Sequence, residues 1–189
     1  MCRLRFDILY CDPAWTYHDE AKAGDRGASC KYPLMSHEDL KVLPVADLAE
    51  PDCTLFMWAT YPLLREALDT GAAWGFTYKT VAFTWVKRTG TGSWFIGMGR
   101  WTRSNGEVCL LFTKGKPKRV DAGVNQVICA PRMKHSAKPP ETRDRIVRLL
   151  GDLPRVELFA RDTADGWVAL GNEIDGEDLR DSIPALAQW

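Results

Sequence analysis

The sequence predicts an open α/β sheet, mostly parallel and covered by helices on both faces. Two observations carry this. Short apolar or β-branched runs alternate with helical stretches along the whole chain. The 189 residues, 46% hydrophobic, are enough for one sizeable core and leave little for a second folding unit.

The elements follow in order. Residues 6–11 (FDILYC) read as a buried strand stopped by Asp12 and Pro13. Residues 16–31 form a polar, glycine-containing stretch long enough for a functional loop or lid. Ser36 looks like an N-cap, with Asp39 three residues on, for a helix through Leu40 and Leu43. Pro44 splits it, leaving residues 45–49 as a second turn. Residues 54–59 (TLFMWA) make a second buried strand, residues 62–73 a helix opened by Pro62, and residues 76–87 a third strand. Residues 88–106 are rich in Gly, Thr and Ser and read as a loop. Strands are expected over 107–113 and 126–129, separated by the basic turn KGKPKR. Pro139 and Pro140 open a helix with Ile146, Leu149 and Leu150 on one face, and further strands are expected over 156–160 and 167–171. The main domain is expected over residues 1–176. Residues 177–189 look like an acidic, loosely packed tail.

Formal net charge is zero, so any nucleic-acid contact must come from local patches rather than a global positive field. The six cysteines are scattered without metal-ligand spacing and only three histidines are present, so no metal site is expected. The opening MCRLRFDILYCD lacks a signal-peptide pattern, and no apolar run is long enough to span a bilayer. A cytoplasmic, reducing location is expected, with the cysteines as small core residues and no membrane partner.

The sharpest feature is Asp12-Pro13-Ala14-Trp15 directly after the first strand. In open α/β sheets ligands bind beyond the carboxyl ends of strands, where this tetrapeptide falls. Its chemistry suits alkylation of an aromatic amine, whose lone pair is delocalised into the ring. A carboxylate (Asp12) and a main-chain carbonyl (Pro13 or Ala14) accepting the two N–H bonds favour a pyramidal nitrogen and stabilise its growing positive charge. Trp15 offers a flat face for a base drawn out of its stack. The same four residues would also serve as a simple strand-ending turn with Trp15 in the core.

Together with TLFMWAT, GMGRWTRSNGEVCLLFTKGKPKR, VICAPRMKHSAKPPE and VELFARDTADGWVALGNEIDG, in that order, the tetrapeptide resembles the adenine N(6)-methyltransferase family named for the seventy-kilodalton subunit of the messenger-RNA adenosine methyltransferase. The likeness runs over residues 6–176. It implies a Rossmann-like, S-adenosylmethionine-dependent methyltransferase fold with permuted motif order, the catalytic tetrapeptide early and cofactor residues late. Carried over by position, Asp12, Pro13, Ala14 and Trp15 are catalytic. Asp12, Lys138 (in HSAKP), Arg161 (after ELFA), Asn172 and Glu173 (in GNE) then hold the cofactor. Lys138 would neutralise the carboxylate of S-adenosylmethionine, and Glu173 would bind a ribose hydroxyl. Ala14 replaces the usual second proline, which keeps the carbonyl but loosens the turn. Larger relatives also carry cofactor contacts ahead of the first strand, so another loop is expected to complete the adenine wall here.

For the substrate, Tyr17 and the loop RWTRSN (Arg100, Trp101, Arg103, Asn105) mix arginine, aromatic and small polar residues suited to phosphate and an extruded base. Trp101 packed inward in an ordinary surface loop is the competing reading. Lys114, Lys116, Lys118 and Arg119 form a basic cluster able to track a backbone, extended by Arg132, Lys134 and His135 if the fold gathers them. The expected activity is methylation of adenine in nucleic acid, with DNA before RNA, short sequence specificity, and a possible homodimer or partner subunit. The alternatives are an RNA adenosine methyltransferase, a non-catalytic nucleic-acid-binding subunit of the same fold, and amino-methylation of cytosine or of a protein side chain.

Overall fold

The structure is a computed structural model and describes residues 4–16, 35–99, 101–133, 137–174 and 176–188. Seven strands form one sheet in the order β5-β3-β4-β2-β1-β6-β7. They are β1 (Phe6–Cys11), β2 (Ala49–Ala59), β3 (Thr77–Arg88), β4 (Gly106–Lys114), β5 (Val127–Pro131), β6 (Arg155–Leu158) and β7 (Val168–Leu170). The helices are α1 (His37–Lys41), α2 (Leu64–Ala73), α3 (Glu141–Leu150) and α4 (Leu179–Ala187), with 3₁₀ turns at Val45–Leu48 and Tyr61–Leu63. Only β4 runs antiparallel to its neighbours, which makes the sheet mixed but mostly parallel.

The apolar stretches of the central strands are buried on both faces. On β1, Leu9 and Cys11 point into one core cluster, Ile8 and Tyr10 into the other. On β2 the same alternation sends Leu55 and Met57 one way, Phe56 and Trp58 the other. The first face is covered by α1, α2, α4 and the Val45–Leu48 turn, through Leu40, Ala67, Ile183 and Leu48. The second is covered by α3 through Ile146 and Leu150. Helix α2 sits close on β4, because a Cβ at Gly71 would collide with the Phe112 ring.

Several local expectations hold for the reasons given. Ser36 Oγ accepts from Asp39 N at 3.1 Å, capping α1, and Pro44 separates it from the following 3₁₀ turn. Strand β2 starts earlier than expected, at Ala49, where it pairs with Phe6, and it pairs with β4 from Cys53 to Ala59. The tail is a correction. It is not loosely packed: Asp178 caps α4, and Leu179, Ile183 and Ala187 are buried in the first core cluster. Acidic composition hid a nine-residue helix whose apolar positions recur at helical spacing.

Candidate active site

Asp12 leaves the sheet at the carboxyl end of β1, with β2 on one side and β6 on the other. The turn that follows is tightly tied. Trp15 N donates to Pro13 O at 2.8 Å, and Met35 N donates to Ala14 O at 3.2 Å. Pro13 is buried, whereas Ala14 is half-buried and lines the cleft beside Asp12. Each of these two carbonyls already accepts one backbone hydrogen bond and keeps a second lone pair that could serve beside the Asp12 carboxylate. Trp15 departs from expectation. It is only 7% exposed, its Nε1 donates to Trp58 O at 3.1 Å, and its ring lies stacked against His37. It anchors the turn in the core and presents no open face to a base.

Behind Asp12 lies a row of alternating charges. Lys138 Nζ is 2.6 Å from Asp12 Oδ2 and 3.3 Å from Glu107 Oε2, and Lys87 Nζ is 2.5 Å from Glu107 Oε1. Side-chain exposures of 10% to 21% along the row leave these charges little water, so each leans on its neighbour. Burial pushes the Asp12 carboxyl above its usual range, against the pull of Lys138. Burial also penalises Glu107, but Lys138 and Lys87 outweigh it and hold its pKa low. For Lys138, Asp12 and Glu107 overcome the burial penalty and hold its pKa high. Lys138 is thus gathered to the site as expected, but its charge faces these carboxylates.

On the other side of Asp12 opens a cleft, open to solvent, lined by residues from the ends of β1, β6 and β7 and from the start of α4. Arg161, Asn172 and Glu173 all line it, as expected, with Arg161 Nε 3.7 Å from Glu173 Oε1. Two backbone features shape the wall. Phe159 adopts a positive φ of 59°, a costly conformation for a bulky residue. Gly171 approaches so closely that a Cβ would collide with Ala160 O and N, where Ala160 N bonds Leu170 O. Met35 and Leu179 supply apolar wall, and Asp178 and Arg180 add charge.

The nucleic-acid candidates divide. Trp101 is 99% exposed, which excludes inward packing, and Arg103 is exposed with its Nη1 against Met98 Sδ. The Asn105 amide donates to the carbonyls of Lys87 and Phe95, so it closes the loop. Lys114, Lys116, Lys118 and Arg119 lie elsewhere. Lys114 pairs with Cys53 at the start of β2, while Val108 pairs with Ala59 at its end. The cluster therefore sits at the opposite edge of the sheet, roughly 20 Å from the Asp12 side by strand rise. An antiparallel β4 carried it away, which sequence proximity concealed. Tyr17, Arg100, Lys134 and His135 lie outside the described residues.

Sequence reasoning missed Glu107, Lys87, Phe159, Asp178 and Arg180. A charged Glu107 opening an apolar strand was the available signal for the row. Asp178 and Arg180 were missed because their helix was taken for a tail. No group of three or more metal-ligating side chains occurs among the described residues, and none of their helices is long and apolar enough to cross a membrane.

The structure thus sets the Asp12 tetrapeptide at a strand end of a mostly parallel α/β sheet, beside a charged cleft. The MT-A70 family model matches residues 6–173. Type II methyltransferase M.MunI of Mycoplasma sp is 36% identical over 204 residues, covering 98% of this chain and 84% of that protein. An N(6)-adenosine-methyltransferase MT-A70-like protein of Drosophila melanogaster is 30% identical over 188 residues. The N(6)-adenosine-methyltransferase catalytic subunit METTL3 of Homo sapiens is 28% identical over 188 residues. These two alignments cover 94% of this chain but only 28% and 30% of the relatives. The chain belongs to the MT-A70 family.

Proposed function

We propose that this protein methylates the exocyclic amine of adenine in nucleic acid, DNA before RNA, using S-adenosylmethionine. The observation that carries the reading is the placement of Asp12 and Ala14 at the cleft where Arg161, Asn172 and Glu173 converge. Family membership supports the adenine, since several relatives are named for N(6)-adenosine. The 36% likeness to a type II methyltransferase supports DNA first. Free, buried Cys11, Cys53 and Cys109 fit a reducing, cytoplasmic setting.

The cleft fits the cofactor by the chemistry of its lining. Arg161 or Arg180 suits an amino-acid carboxylate, Asn172 and Glu173 suit a ribose diol, and Phe159 and Leu179 give apolar wall for an adenine ring. When bound, S-adenosylmethionine supplies a sulfonium-activated methyl group. The chain's own part is positioning. Asp12 and the main-chain carbonyl of Pro13 or Ala14 accept the two amine hydrogens and hold the nitrogen lone pair towards the cleft. As the carbon–nitrogen bond forms, nitrogen becomes positive and the Asp12 carboxylate opposes that charge. Lys138 favours the ionised form of Asp12 against the effect of burial and fixes its Oδ2. The methylated nitrogen then sheds one proton to solvent.

The test is transfer of tritiated methyl from S-adenosylmethionine to DNA and RNA, comparing wild type with Asp12→Ala. Label in N(6)-methyladenine that falls at least about a hundredfold in the variant is expected. Equal incorporation by both proteins, or label in cytosine, overturns the reading.

A further inference from the structure

The carboxyl edge of the sheet is divided between two kinds of surface. Over β1, β6 and β7 lies the cleft just described. Over β3, β4 and β5, on the far side of Asp12, the segment joining β3 to β4 forms a built platform. Arg88 bridges Trp94 as an isolated antiparallel pair, and Phe95 N donates to Lys87 O at 3.0 Å. Gly97 N donates to Ser104 O at 2.7 Å, and the Asn105 amide ties the ends together.

Its exposed groups are guanidinium planes on aromatic rings. Arg88 lies 3.8 Å over Trp94, which stays 55% exposed, and Arg132 lies 4.6 Å over Phe95. Trp101 projects beyond them. Its described residues, 88–99 and 101–106, carry Arg88 and Arg103 and no aspartate or glutamate, in a chain whose net charge is zero. Among the described residues, Arg88, Arg103 and Arg132 form no ion pair, so their charge is left for an anion.

We propose that this platform is a stacking shelf for nucleotides flanking the target adenine in a single strand. The proposal rests on nucleic acid being the substrate and names its form. Strands about 4.8 Å apart place β3 roughly 14 Å from β1, a span of two to three nucleotides. The cleft lies on the other side of Asp12, so a strand whose target base sits at Asp12 has the shelf within reach. Exposed aromatic faces alternating with cations bind bases of any sequence together with their phosphates. That matches a single strand better than a duplex, whose bases are already stacked.

The test uses the whole chain and a fluorescein-labelled oligonucleotide of about 12 nucleotides, the scale of one single-strand site. Anisotropy titrations compare single strand with duplex, for wild type, Trp94→Ala, Trp101→Ala and Arg132→Gln, with melting midpoints verifying the fold. Tighter binding of the single strand, weakened roughly tenfold or more by Trp94→Ala, is the expected result. Arg132→Gln should reduce the slope of log affinity against log salt by about 0.7, the value of one phosphate contact on a single strand. Affinity unchanged in folded variants, while wild type still methylates the oligonucleotide, overturns the shelf and leaves the activity standing. Equal affinity for duplex overturns the single-strand occupant. A dimer that dissociates on Trp101→Ala, with oligonucleotide affinity unchanged, makes the surface a protein interface and overturns the proposal. Wild type that methylates neither DNA nor RNA sinks the activity itself.

Discussion

Lys138 Nζ stands 2.6 Å from Asp12 Oδ2, joining residues 126 positions apart in the chain. The contact ties the tetrapeptide after β1 to the segment that leads into α3. Through Glu107 and Lys87 it continues to the base of the β3–β4 segment. One row of charges thus connects the acidic group at the cleft with the platform beyond it.

Methyl transfer should show an acid limb in kcat/KM that lies above the ordinary aspartate range, because burial raises the Asp12 carboxyl from 3.8. Lys138→Gln removes the cation that opposes this shift, so the limb should move further up in pH. A limb that stays in place in the variant would show that Lys138 does not govern Asp12. The same shift has a stability sign. Folded Asp12 keeps its proton to higher pH than the unfolded chain, so its contribution fades as pH rises above about 3.8.

Lys138 should protect the fold across neutral pH and stop doing so in strong base. Its pKa is held above 10.5 in the folded chain by Asp12 and Glu107. The stabilisation is therefore complete below 10.5 and lost as pH rises through the folded value. Melting midpoints of wild type and Lys138→Gln should converge as pH climbs beyond that point, and a constant gap would contradict the assignment.

Lys87→Met should destabilise the protein by about 1–3 kcal/mol, since Glu107 then loses one of its two buried cations. Glu107 has a depressed pKa, so its contribution is present above 4.5 and disappears as pH falls through the lower folded value. Denaturant unfolding at neutral and acid pH tests both points. The penalty should shrink in acid, and a penalty independent of pH would argue for lost packing alone.

Gly171→Ala should cost about 1–3 kcal/mol and weaken cofactor binding, because the added carbon meets the Ala160 backbone at the cleft wall. Gly90→Ala, where nothing lies within 4 Å of the new Cβ, is the matched control and should be close to neutral. Calorimetric titration with S-adenosylmethionine and urea melts measure the two effects. Equal behaviour of the two variants would remove Gly171 from the wall.

Ile183→Ala should destabilise by about 2–5 kcal/mol, the range for emptying a buried aliphatic site. A change below about half a kcal/mol would return the segment to the status of a surface tail.

The sequence by itself determined most of the elements and singled out the corner at Asp12. Short apolar runs such as FDILYC and TLFMWA, bounded by turn residues, read as strands buried on both faces, and Ser36 and Asp39 mark a helix start by local hydrogen bonding alone. Asp12-Pro13-Ala14-Trp15 was legible because its four residues are contiguous, and Arg161, Asn172 and Glu173 because their motifs survive intact. What only the tertiary structure decided depends on strand order and burial, which local pattern does not carry. It placed Glu107 and Lys87 behind Lys138, turned Trp15 into the core, and set α4 against the sheet. It also sent the KGKPKR cluster to the far edge, since the direction of β4 fixes which end of that strand meets Asp12. Charges far apart in the chain gain meaning only when packing removes water from between them, and that happens after the strands have found their neighbours.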